Sequence, residues 1–446
     1  MRSLRIVFCG LLFFTFFSGI SQNTWSLEEC ILYALDNNIR IKQQGLNIEI
    51  SKNNLTQAKA SILPNLNLST SQNFRYGRSV DPLTYEFTNN NSKGSSFSVN
   101  SGMYLFNGLQ TINNIAKNKL YLKKSIEDLE RAKNDLSLNI AMAYLQVLFN
   151  TELYTIAKNQ LDITSQQVEQ TKILVDAGSI TLGNLLEIQA QYSTEELQLV
   201  NAENQIDLSY LNLKQMLDLG AVEDFRISIP EFIDIDTEDI SFSVNIIFKE
   251  ALSKLPQIKS AEFSLLAIKK NLSIAKGQLL PSLSVGTGWY TGYSDNIKAF
   301  GTANTMSFSD QIDFAQNRVI GFNLTIPVFN RLSTKTNISN ARLSVLNSEY
   351  NLQLEKNQLF KEIQQAYSDA KAALKQYIAS QKTVESLEEN FKYTQNKYNV
   401  GMVNTVDYNL AKNNLTKARS DLLQAKYNYI FNQKILDFYR GNPITI

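Results

Sequence analysis

The chain repeats itself once over most of its length, and this duplication limits what it can fold into more than any other feature. Ala58-Lys59 and Leu63-Pro64-Asn65-Leu66 return 217 residues later as Ala275-Lys276 and Leu280-Pro281-Ser282-Leu283, and Ala34-Leu35 returns as Ala251-Leu252. Six inserted residues then move the offset to 223, where Phe106-Asn107 matches Phe329-Asn330, Ala143-Tyr144 matches Ala366-Tyr367 and Gly178 matches Gly401. A period this long is not that of a stacked small-repeat solenoid. The chain is two similar halves, and one half can be read for both.

Ahead of the first half stand Arg2 and Arg5, an apolar run from Ile6 to Phe17, and small residues at Ser18-Gly19-Ile20-Ser21. That is the layout of a cleaved export signal over 1–21, and the run is too short to span a bilayer as a helix, which takes about 20 residues. Its removal takes two arginines and moves the formal charge from +1 to −1. No Lys/Arg-rich run points to nucleic acid. Of the two cysteines, Cys9 lies in the signal, so Cys30 has no partner for a disulfide. No cysteine stands at the cleavage site to carry a lipid. The remaining sequence holds no apolar segment of helix-spanning length, which leaves an exported soluble protein or a closed β-barrel.

Within the first half, Leu27 to about Leu63 reads as helix, with Ser26 and Glu29 as a capping box and Pro64 as its end. The pattern then switches to period two. Leu66, Leu68, Thr70, Phe74 and Tyr76 alternate with Asn67, Ser69, Ser71, Asn73 and Arg75, and Phe97, Val99, Met103 and Leu105 alternate with Ser96, Ser98, Asn100 and Gly102. These are two strands of about 10 residues, joined by a polar surface loop from Gly77 to Ser95. The second half repeats the pair, with Leu283 to Tyr293 and Ile320 to Val328 as strands. A polar loop from about Ser294 to Asn317, or its flanks, holds the insertion.

Each strand pair is followed by apolar residues in steps of three, four or seven: Leu122, Leu129, Leu136, Ile140, Ala143, Val147, Tyr154, Leu161, Val168, Val175, and in phase Val345, Leu352, Leu359, Ile363, Ala366, Ala370, Tyr377, Val384, Phe391, Tyr398. Such spacing is a coiled-coil seam. A helix from about Gln110 to Gly178 would be roughly 100 Å long, and Gly178 and Gly401 suit the left-handed position past a helix end. The chain turns there and is helical again to about Leu219 or Tyr439. The helices before the strands and after the tip are each about half as long, so two of them stacked end to end match one long helix. The intervening segment 220–243, with Pro230 and alternating Phe225, Ile227 and Ile229, belongs at mid-height between a first repeat at 22–219 and a second at 244–446.

Four membrane-length strands cannot close a barrel alone, since the smallest single-chain barrels have about eight. Copies of the chain must share one, and a ring is the expected closure. In this order of elements, and in Ala34-Leu35, Leu63-Pro64, Leu105-Phe106-Asn107-Gly108, Ala177-Gly178-Ser179-Ile180 with Asn184-Leu185-Leu186, and their second-half partners including Val400-Gly401-Met402-Val403 with Val406-Asp407, the chain resembles the TolC-like outer membrane efflux ducts over nearly all its mature length. The resemblance implies a mainly α fold with a small β part: a homotrimer whose 12-stranded β-barrel in the outer membrane continues as an α-helical barrel across the periplasm. It also implies a passive conduit for efflux or type I secretion, served by a periplasmic adaptor and an inner-membrane transporter. The alternative is an exported coiled-coil adaptor or stalk without a membrane barrel.

By the same resemblance, Asp407 matches the acidic residue that narrows the tunnel, Leu410 falls where some relatives carry a second acid, and Asn184 and Glu187 stand at the equivalent places of the first half. An acidic ring of Asp407 copies would disfavour anions; a solvated first-turn carboxylate is the plainer reading. The turns Gly178, Ser179, Ile180 and Gly401, Met402, Val403 are candidates for adaptor docking, Ile180 and Val403 being apolar at an expected exposed tip. Phe74, Tyr76, Trp289, Tyr290 and Tyr293 are candidates for an aromatic membrane girdle. The chain has no histidine, and Gly-rich phosphate loops and paired cysteines are absent, so an enzyme, a cofactor and a metal centre are not expected.

Overall fold

Helices of matched length carry the duplication into three dimensions. The computed structural model describes residues 24–80, 85, 87–89, 91–220, 225–229, 242–298, 304–442 and 444; the signal sequence at 1–21 and much of 220–243 lie outside them. The elements run β1 (Thr24–Trp25), α1 (Leu27–Asn37), α2 (Ile39–Ala60), β2 (Asn65–Arg75), β3 (Arg78–Val80), β4 (Phe87–Asn89), β5 (Ser92–Asn107), α3 (Gln110–Asp176) and α4 (Leu182–Met216). There follow β6 (Arg226–Ile227), α5 (Val244–Lys254), α6 (Pro256–Gly277), β7 (Ser282–Ser294), α7 (Phe308–Phe314), β8 (Asn317–Thr325), α8 (Ser333–Asn399) and α9 (Thr405–Tyr439). The helix pairs α1/α5, α2/α6, α3/α8 and α4/α9 have 11, 22, 67 and 35 residues in both halves. No described helix is long and apolar enough to cross a membrane.

The single helix expected from Leu27 to Leu63 is two. Ser26 and Glu29 do form the reciprocal capping box, but Asn38 is extended (φ −60°, ψ 128°) and recaps the chain by accepting from the Arg40 N–H at 2.9 Å. Its amide also donates to the Met216 carbonyl at 3.0 Å, and the Ile39 N–H donates to Asp218 at 2.8 Å. The break is thus where the end of α4 abuts the start of α2, the end-to-end stacking that the helix lengths require. In the second half Leu255 is extended ahead of Pro256 at the first helical position, as the ring of a proline demands of its neighbour.

At that height lies the largest apolar core. Cys30, Ala34, Ile140, Tyr144, Val147, Leu148, Leu213, Phe225 and Ile227 are buried together, with Trp25 against them. The Tyr144 hydroxyl donates to the Ser228 carbonyl at 2.6 Å, tying α3 to the β1–β6 pair. Burial pushes the Tyr144 phenol up to about 12. A second core centres on Ile247, Ile258, Leu359 and Ile363. Every residue of both seams is buried or half-buried.

β2, β5, β7 and β8 form one antiparallel sheet in that order, of 11, 16, 13 and 9 residues, enough to span a membrane at about 9–11 residues per strand. The loop expected from Gly77 to Ser95 is shorter than that, because β3 pairs with β4 as a small hairpin and β5 already begins at Ser92. The second loop contains the helix α7.

Candidate functional sites in the sheet and at the helical tips

Cross-strand register gives the sheet one mainly apolar and one mainly polar face, with Arg318 beside Trp289 on the first and Val319 beside Gly288 on the second. Leu68, Val99 and Trp289 are aligned on one face, as are Met103, Val285 and Phe322, and Thr287 with Ile320. On the other face Asn67 meets Asn100 and Gly288, and Ser71 meets Ser96 with their hydroxyls 2.7 Å apart. Leu66, Leu68, Ile320 and Phe322 on the first face are largely exposed in the single chain. An apolar face opposite one of Ser, Asn and Gly is what a barrel with lipid outside and water inside requires. Phe74, Trp289 and Tyr293 stand on the apolar face near the upper strand ends, and Tyr76 follows just past β2. Tyr290 does not join them. Its place in the alternation puts it on the polar face, where its ring covers Gly288 so closely that a Cβ there would lie 2.5 Å from it.

At the far end of the long helices both tips turn by the same bonds. Gly178 (φ +69°) and Gly401 (φ +76°) are left-handed. Ser179 N–H donates to Leu174 and Met402 N–H to Lys397, each at 2.8 Å, the double closure of a helix end that satisfies its last carbonyls. Ile180 and Val403, expected to be exposed, are half-buried within the single chain. The exposed apolar residues are their neighbours, Met402 above all at 76%. Asn404 caps α9 by accepting from the Asp407 N–H at 2.7 Å. Asp407 and Glu187 are exposed and Asn184 is half-buried. Beside Asp407, buried Tyr408 lies between Phe391 and Tyr398, with ring centroids 5.4 and 4.6 Å away. The first half has aliphatic Leu185, Val168 and Val175 at these places.

Above the tips is a buried polar cluster that the sequence reading missed. Lys412 of α9 faces Glu195 of α4 at 3.3 Å, with side-chain exposures of 3% and 1%. Thr164 of α3 bonds both of them. Gln160 and Gln191 donate to the same carboxylate at 3.0 and 2.8 Å, and Thr416 donates to Gln160 at 2.7 Å. Burial holds the Lys412 ammonium below the ordinary lysine range, against the pull of Glu195. The cluster binds the second hairpin to the first. Its signal was only that lysine and glutamate stand on seam-facing sides of helices far apart in sequence. The repeat has Gln189, Ala418, Leu387 and Thr383 in the matching places, so the cluster occurs once among the described residues. They also contain no group of three or more histidine, cysteine or acidic side chains able to hold a metal.

The outer membrane efflux protein family model matches residues 31–218 and 247–442, one match on each half. The chain belongs to the outer membrane efflux protein family. It is 22% identical over 447 residues to outer membrane protein TolC of Escherichia coli (strain K12), covering 97% of this chain and 85% of TolC. It is 24% identical over 408 residues to the cation efflux system protein CusC of Escherichia coli O6:H1, covering 90% and 82%. Among solved structures it superposes on CusC with a TM-score of 0.80 at 17% identity over 96% of both chains. The Campylobacter jejuni CmeC outer membrane channel gives 0.78 at 19% identity over 93% of this chain and 85% of CmeC. The fold is that of the family's trimeric channels, with an α-helical barrel continuing a β-barrel. Members of the outer membrane efflux protein family are channels rather than enzymes, and this one is an outer membrane protein whose helical part extends into the periplasm.

Proposed function

We propose that the protein is the passive exit duct of a tripartite efflux or type I secretion system, working as a homotrimer. The observation that carries this reading is the two-faced sheet of four strands, continuous with hairpins about 100 Å long. Among the described residues its outer strands β2 and β8 have no partner on their free edges, and unpaired edges are closed in stable proteins; three copies would supply twelve strands. The helices leave matching gaps. Lys123 of α3 lies 5.4 Å from the Phe263 ring of α6, and the repeat equivalents, Leu346 of α8 and Leu46 of α2, are exposed at 42% and 63%. A second copy would bring them together.

In such a trimer the Asp407 copies ring the periplasmic entrance and favour cations. The tips 178–180 and 401–403, with exposed Val400, Met402 and Val406 around them, meet a periplasmic adaptor, which in turn engages an inner-membrane transporter that supplies the energy. Deleting the protein and comparing both sensitivity to a panel of toxic compounds and the secreted proteins tests the reading. Increased sensitivity or a lost secreted protein is expected. No change in either, or recovery of the protein in a soluble fraction, overturns it in favour of a periplasmic stalk.

A further inference from the structure

The helix α7 is bonded to the sheet at a definite height and on a definite face. Gln311 is buried; its Nε2 donates to the Ser294 and Met306 carbonyls at 2.9 and 2.8 Å, and its Oε1 accepts from the Ser294 N–H at 2.8 Å. The Thr291 hydroxyl donates to the Ile312 carbonyl at 2.6 Å. Phe308 packs on Phe97 and Tyr293, with ring centroids 6.3 and 5.4 Å apart. Register puts Phe97, Thr291 and Tyr293 on the apolar face, together with Val99 and Trp289. α7 therefore lies against the lipid side of the sheet, not the Ser/Asn/Gly side.

Its height follows from the same pairings. Ile312 is held at Thr291, and Asn317, three residues past the helix, pairs with Tyr290. Phe314 is thereby brought down to the level just above Trp289, yet it is 81% exposed in the single chain, and Phe308 is 52% exposed. Ser309 and Asp313, both exposed, fall on the side of the helix away from Gln311 at about 100° per residue. Thus a bonded helix presents a phenyl ring at the level of the aromatic girdle, with polar side chains turned off the sheet. This arrangement suits the boundary between acyl chains and headgroups, where short amphipathic segments bury their apolar side by about 5–10 Å.

We propose that α7 is a lipid-binding foot that rests in the outer leaflet, with Phe314 and the free edge of Phe308 among the acyl chains. Its occupant is lipid because the apolar face it lies on is continuous with the membrane-facing wall of the barrel. The inference rests on that barrel reading. Among the described residues nothing in the first half corresponds to it, and the loop there carries the β3–β4 hairpin.

The test uses the full-length protein reconstituted in phosphatidylcholine vesicles, with a tryptophan placed by Phe314→Trp and, as a control in the middle of the apolar face, by Ile320→Trp. Emission gained at each position is challenged with acyl-brominated phosphatidylcholine and with aqueous iodide. Quenching of the position-314 emission by the brominated lipid but not by iodide is expected. Quenching by iodide, or by neither agent because the next protomer covers the ring, overturns the proposal while the control is still quenched by lipid. If the control also escapes the brominated lipid, the barrel reading fails and α7 fails with it.

Discussion

Lys412 of α9 and Glu195 of α4 meet at 3.3 Å with both side chains buried, joining the two helical hairpins where the repeat has only Gln189 and Ala418 to offer. Two charges removed from water stay compatible with folding when they have each other and further hydrogen bonds, and here Thr164, Gln160 and Gln191 supply those. Removing one partner strands the other. Lys412→Met alone should cost about 3–5 kcal/mol, whereas Lys412→Met with Glu195→Met should recover much of it. Thermal unfolding of the detergent-extracted protein reads both, and a double variant no more stable than the single one contradicts this account.

Gly108 and Gly277 cross so closely that a Cβ on Gly108 would lie 2.2 Å from the Gly277 carbonyl oxygen. Gly108 is also left-handed, at φ +65°. Gly108→Ala should cost about 3 kcal/mol from the backbone conformation and the overlap together. At the tip Gly178→Ala meets open space and should cost about 1–2 kcal/mol from conformation alone. Parallel melts of the two variants should rank them in that order.

The repeat predicts one contact between copies. Cysteines placed by Leu46→Cys and Leu346→Cys in one chain should be joined between protomers by a bismaleimide crosslinker, because their equivalents Phe263 and Lys123 face each other through long side chains within the chain. Denaturing gels should show a ladder ending at the trimer. Monomers alone, with both thiols modified, would argue against this ring.

Alkaline pH should loosen the mid-height core. Tyr144 ionises at 10.0 when free of the fold and at about 12 within it, because burial disfavours the phenolate; Cys30 rises from 9.0 to about 12 for the same reason. The unfolded chain therefore releases these protons first. Their stabilising contribution is whole below 9.0 and is lost as pH climbs from there to about 12, by up to about 1.4 kcal/mol per pH unit for each group. Tyr144→Phe should flatten the slope of melting temperature against pH over that range, beyond any constant loss from the missing hydrogen bond to Ser228.

Local patterns in the sequence determine much of this fold. Period-two alternation marked the strands and period 3.5 the long seams, because burial of one face leaves a direct trace in the order of residues. Gly178 and Gly401 marked the tips because few other residues accept their backbone conformation, and the duplication transferred each reading to the other half. The break at Asn38 left no such trace, since asparagine is tolerated inside helices. Its second-half counterpart at Leu255-Pro256 was the available signal.

Tertiary structure alone decided the rest. The bond from Thr291 to Ile312 set Phe314 just above the level of Trp289. The turns left Ile180 and Val403 half-buried. The meeting of Lys412 with Glu195, 217 residues apart, depends on how two hairpins lie against each other. A sequence records which face of each element must be buried; it does not record which other element will bury it, because that is set by packing between residues far apart along the chain.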